Sequence, residues 1–107
     1  MLYNWYKAEG ILSTTLAEGQ MMETLAGEKQ IGLLKTGNTI HAFAATCPHT
    51  SARLCEGWLD ARGHIVCPLH KYRFDPANGR NSSGEGYKLK TYPVDIRGDE
   101  IYIGLTN

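Results

Sequence analysis

Residues 29–46 read KQIGLLKTGNTIHAFAAT. Two apolar-rich runs, 29–36 and 39–46, flank the pair Gly37-Asn38. A two-residue Gly/Asn connection between such runs is a β-hairpin signal, because its backbone twist matches that of the flanking strands. This stretch therefore reads as two paired antiparallel strands, and the rest of the chain agrees with it.

Towards the C-terminus, DEIYIGL (99–105) alternates so that Ile101, Ile103 and Leu105 share one face of a strand. LKTYPVDI (89–96) precedes it across a turn at Arg97-Gly98-Asp99. Proline cannot donate to a ladder, so Pro93 predicts an edge or a bulge there. Towards the N-terminus, TTLAEGQMMETLAG (14–27) comes nearest to a helical pattern, but Gly19 interrupts it, and strand plus loop is the better reading. Residues 76–86, PANGRNSSGEG, are loop by composition. The expected fold class is all-β, in one domain spanning residues 1–107.

The bulk numbers fit that reading. A chain of 107 residues can bury a core, on the order of two thirds of its unfolded surface. It leaves little room for a flavin domain or a large substrate domain. Apolar residues make up 42% and charged residues 21%, an ordinary globular balance. Eleven basic and eleven acidic residues cancel, which argues against a nucleic-acid partner, since phosphate binding needs a basic excess. No apolar run is long enough to span a bilayer, and MLYNWYKAEG lacks the pattern of a signal peptide. A cytoplasmic location is expected, without membrane association. In that compartment, clustered cysteine and histidine point to metal binding or catalysis before disulfides.

Such a cluster lies mid-chain. TCPHTSARLCEG (46–57) contains Cys47 and His49 as C-x-H, and VCPLHKYRF (66–74) contains Cys67 and His70 as C-x-x-H. Each motif offers one soft thiolate and one imidazole. Thiolates suit iron–sulfur clusters and zinc, and imidazole suits iron, zinc and copper. The common zinc pattern groups cysteines together and histidines together, whereas here they alternate. A catalytic Cys-His pair would leave one complete motif without work. His41 and His64 have no ligand spacing and read as partly exposed strand or turn residues. Trp5, Trp58 and the tyrosines read as packing residues. No dinucleotide or phosphate-loop fingerprint is present.

The order C-P-H, seventeen residues, then C-P-x-H resembles the binding motif of Rieske [2Fe–2S] proteins, in which two histidines replace two cysteines on one iron. The likeness extends through Leu54, Glu56 and Gly57 and through YRFDPANGR (72–80). It implies stacked antiparallel sheets with a two-loop cluster-binding subdomain at about residues 46–80. It implies one [2Fe–2S] cluster per chain, with Cys47 and Cys67 on the buried iron and His49 and His70 on the outer one. Cys55 then stands outside the set, where the family usually has a small polar residue, and reads as a partly buried thiol rather than a redox sensor or substitute ligand.

The resemblance also bears on redox potential. High-potential members carry C-T-H-x-G-C and C-P-C-H-G-S-x-Y, with a disulfide between the loops and two hydroxyls near the cluster. Here the corresponding positions hold Ala52, Leu69, Tyr72 and Phe74. The bridge cannot form, Phe74 has no hydroxyl, and the longer Tyr72 is not expected to reproduce a serine contact. The glycine usual after the second histidine is Lys71. It reads either as a solvated lysine or, with Arg53 and Arg73, as part of a docking surface. The implied function is that of a low-potential ferredoxin, an electron carrier and not an enzyme by itself, between a reductase and an oxygenase or reductase. A small subunit resembling that of assimilatory NAD(P)H nitrite reductase is the alternative within the class. A zinc-stapled binding module is the alternative outside it.

Overall fold

The computed structural model describes residues 2–48, 51–69, 71–83 and 86–106. Its strands are β1 (Asn4–Leu12), β2 (Met21–Ala26), β3 (Lys29–Thr36), β4 (Thr39–Ala44), β5 (Trp58–Leu59), β6 (Ile65–Val66), β7 (Arg73–Phe74), β8 (Thr91–Tyr92), β9 (Val94–Arg97) and β10 (Glu100–Leu105). Among the described residues the helical element is a single 3-10 turn at Leu54–Glu56. The all-β expectation holds. The stretch with the helical suggestion is loop up to Gln20 and then β2.

Seven strands form one antiparallel sheet in the order β8-β4-β3-β2-β1-β10-β9, and β5-β6-β7 form a second, smaller one. Strands β8 and β9 lie at opposite ends of the large sheet, yet only Pro93 separates them in the chain. The sheet must therefore curl until its two edges meet at this proline. Pro93 spends no ladder donor there, and its carbonyl accepts a 2.9 Å bond from the Gly104 N–H. The C-terminal turn is one residue tighter than expected: Arg97 pairs with Glu100, leaving Gly98-Asp99 between them, with Gly98 at φ 64.

The β3–β4 hairpin divides the interior. Thr36 pairs with Thr39 across Gly37-Asn38, and Gly37 alone of that pair has positive φ (59), as a II′-type turn requires at its first central position. Successive residues face opposite sides of a strand. Accordingly Leu33 and Ala42 join a core with Ile31, Ala26, Ile101 and Ile103, while Leu34 and Phe43 join another with Leu54, Ile65, Phe74 and Leu89. Phe43 covers Gly32 on the neighbouring strand, where a Cβ would come within 2.2 Å of its ring. Full burial of Phe43 contributes roughly 1.5–3 kcal/mol by apolar transfer. The second core seats the small sheet and both cysteine motifs.

Trp5 and Trp58 do not enter either core. Trp5 is half-exposed, near Tyr3 and the Arg97 guanidinium, and Trp58 is exposed on β5.

Candidate metal centre

Both cysteine motifs sit at the necks of short loops built alike. In the first, Thr46 bridges to Arg53, the Cys47 N–H donates to the Ala52 carbonyl at 2.9 Å, and the Leu54 N–H donates to the Ala45 carbonyl at 3.0 Å. In the second, the Cys67 N–H donates to the Tyr72 carbonyl at 2.8 Å, and the Lys71 N–H donates back to the Cys67 carbonyl at 3.0 Å. In each case the cysteine N–H reaches the carbonyl five residues on. The bond pinches each loop shut at its cysteine. The flanking residues Pro48, Ser51, Leu69 and Lys71 are exposed. Cys47 and Cys67 are buried, 4% and 0% exposed, in the same apolar cluster. His49 and His70 lie outside the described residues.

Backbone packing holds the loops to each other. Gly57 closes the 3-10 turn through its N–H to the Leu54 carbonyl, 2.9 Å. A Cβ on Gly57 would lie 1.9 Å from the carbonyl oxygen of Val66, the residue before Cys67. Only a hydrogen in that place lets the end of the first loop pass so near the start of the second. The β5–β6 turn is fixed by Asp60, whose Oδ1 accepts from the Arg62 and His64 N–H groups at 2.9 and 3.0 Å. Burial opposes the Asp60 charge, but these donors outweigh it and hold its carboxyl below the usual range.

Side-chain pairing anchors the first loop to the large sheet. Arg53 makes a two-pronged bond to Glu23 on β2, Nη2 to Oε1 at 2.7 Å and Nε to Oε2 at 3.0 Å. Paired forks of this kind are the directional form of the ion pair. Sequence reasoning did not single out Glu23, which is thirty positions away with no local signal.

Cys55 is half-buried between Arg53 and Glu56, on the second core. Burial, with the Glu23 carboxylate adding to it, pushes its thiol up to about 11. It is protonated near neutrality, which makes it a poor nucleophile and a poor metal ligand. His41 hydrogen-bonds Thr36 Oγ1 through Nε2 at 2.9 Å, and His64 bonds Ser82 Oγ through Nδ1 at 2.8 Å. Both are partly exposed strand or turn residues, as expected. Among the described residues no group of three or more His, Cys, Asp or Glu side chains is arranged to hold a metal.

Two buried thiols in one apolar cluster, at the necks of two loops, fit the inner half of a thiolate-bound iron–sulfur centre. The family model for the Rieske [2Fe-2S] domain matches residues 4–93. The chain belongs to the Rieske [2Fe–2S] family. A Rieske relative, the ferredoxin component of a naphthalene 1,2-dioxygenase system from Pseudomonas aeruginosa, is 33% identical over 107 residues, covering 99% of this chain and 100% of that one. The Rieske fold recurs in the ferredoxin of carbazole 1,9a-dioxygenase from Nocardioides aromaticivorans IC177, with a TM-score of 0.80, 23% identity, and 96% and 97% of the two chains covered. It recurs too in a Mycobacterium tuberculosis protein described as an NADH-dependent nitrite reductase small subunit, with a TM-score of 0.86, 18% identity, and 100% and 99% covered. Family membership implies a [2Fe–2S] cluster. No helix among the described residues is long and apolar enough to cross a membrane.

Proposed function

We propose that this chain is a one-electron carrier, a low-potential Rieske ferredoxin that takes electrons from a reductase and delivers them to an oxygenase. The observation that carries the reading is the pair of loops with Cys47 and Cys67 buried at their necks in one apolar cluster. It is supported by the full-length likeness to a dioxygenase ferredoxin component. The chain is one domain over residues 1–107, acts in the cytoplasm, and is not an enzyme by itself.

One cluster per chain would be held by Cys47 and Cys67 on the inner iron and by His49 and His70 on the outer one. When bound, it supplies a reversible one-electron couple. The protein's own contribution is water exclusion and rigidity. Leu54, Ile65, Phe74 and Leu89 wall the thiols off from solvent, and the neck bonds fix the backbone at both cysteines. Thiolates held this way reorganise little when one charge is gained or lost. The nitrite-reductase-like reading shares this chemistry and differs in the partner. The observation favouring it is fold likeness at 18% identity, and co-purification with a large reductase subunit would support it.

The low potential follows from the residues beside the cluster. Ala52 and Leu69 cannot form an inter-loop disulfide, and fully buried Phe74 offers no hydroxyl to withdraw charge from sulfur. Rieske potentials span roughly −150 to +300 mV, set by charge, hydrogen bonds and exposure. Protein-film voltammetry should give a midpoint near the low end, about −150 mV. A value above about +100 mV would place the protein with the high-potential members.

A further inference from the structure

Lys71 is, among the described residues, the one non-glycine with positive φ, at 59°. Its backbone has no choice. The Lys71 N–H closes the second loop on the Cys67 carbonyl at 3.0 Å, and the Cys67 N–H bonds the Tyr72 carbonyl at 2.8 Å. A left-handed residue is required between those two bonds, and glycine would fill the position without the steric cost that a Cβ carries there. Strain of this kind at a functional edge points to a use for the side chain.

Residues 46–57 and 66–74 carry four formally charged side chains, Arg53, Glu56, Lys71 and Arg73. Arg53 is committed to Glu23 at 2.7 Å, with Glu56 at 4.0 Å, and Arg73 faces Asp60 at 3.6 Å. Lys71 is exposed and has no carboxylate partner among the described residues. The chain's net charge is zero, so no overall excess of one sign dominates the approach of a charged partner. Exposed Leu69 and Pro48 supply apolar surface on the same two loops.

We propose that Lys71 is the docking cation of the cluster-bearing edge, and that it recognises an aspartate or glutamate beside the electron-entry point of the partner protein. The inference rests on the electron-carrier reading above. Side-chain charge next to His70 would draw the carboxylate of the partner to the place where the electron leaves.

Two outer-sphere oxidants of equal and opposite charge test it: trisoxalatocobaltate(III), 3−, and hexaamminecobalt(III), 3+. Each takes one electron from the reduced protein, giving the cobalt(II) complex and oxidised protein, with no proton moved. At 10 mM ionic strength, Lys71→Gly should slow the anion roughly five- to tenfold and speed the cation by a similar factor. Lys71→Glu should do so more strongly, and 1 M salt should erase both effects. Lys71→Gly should also melt at a higher temperature than wild type, because the left-handed strain is relieved. Rates that stay unchanged, or that move in the same direction for both reagents, would overturn the proposal, since a shifted potential acts on both alike. A lower melting temperature for Lys71→Gly would do the same, by making the lysine structural. Wild-type protein without a visible chromophore, giving no electron to either reagent, would overturn the electron-carrier reading with it.

Discussion

Cys67→Ser and Cys47→Ser should yield protein without the visible spectrum of the native cluster, as should His49→Ala and His70→Ala, whereas Cys55→Ser should keep it nearly unchanged. The buried cysteines occupy matched positions, each at a loop neck with its N–H tied to the carbonyl five residues on. Serine fits the space but offers a hard, protonated oxygen where iron–sulfur chemistry needs a soft thiolate. Cys55 has neither feature. It sits in the 3-10 turn, and its thiol is held protonated by burial, up to about 11. Absorbance per protein in the anaerobically purified variants decides the matter. Loss of the spectrum in Cys55→Ser with retention in Cys47→Ser would reverse the ligand assignment.

Gly57→Ala should destabilise the fold strongly and loosen the packing of the two loops. The added Cβ would meet the Val66 carbonyl oxygen at 1.9 Å and the Leu54 carbonyl oxygen at 3.2 Å, both backbone atoms that no rotamer change can move. Relief requires β5 and β6 to separate, and β6 leads directly into Cys67. Overpacking against backbone of this kind costs about 3 kcal/mol or more. In a chain of this size that lowers the melting temperature by roughly 10–20 °C. Cluster content should fall with it, because Cys67 moves. Gly86→Ala is the control, with nothing within 4 Å of its Cβ and no positive φ. Gly57→Ala melting with wild type and carrying a full cluster would show that the two loops are not packed through this residue.

Local chemistry was legible wherever a residue has one conformational meaning. Gly37 announced the β3–β4 hairpin, Pro93 the interruption between β8 and β9, and the alternation of Ile101, Ile103 and Leu105 the buried face of β10. The two cysteine motifs were legible because ligand type and spacing are chemical requirements. Long-range pairing was not. Nothing local says that β8 joins β4 while β9, one proline later, joins β10. The Glu23–Arg53 fork is invisible for the same reason, since each residue alone is an ordinary surface charge. Two-residue strands such as β5, β6 and β7 carry no periodicity to read. Trp5 and Trp58 misled because an amphipathic ring is at home in a core or on a surface, and sequence does not say which. Lys71 was the reverse case. Its departure from the glycine usual in the family was visible in the sequence, and the backbone angle supplies the reason glycine is usual there.

The central claim is that Cys47, His49, Cys67 and His70 hold an iron–sulfur cluster. Iron, zinc and acid-labile sulfide measured together on anaerobically purified protein test it most directly. The expected result is a reddish-brown protein with about two irons and two labile sulfides per chain and no zinc. A colourless protein with stoichiometric zinc and no labile sulfide would contradict it, and would make the twin loops a zinc staple.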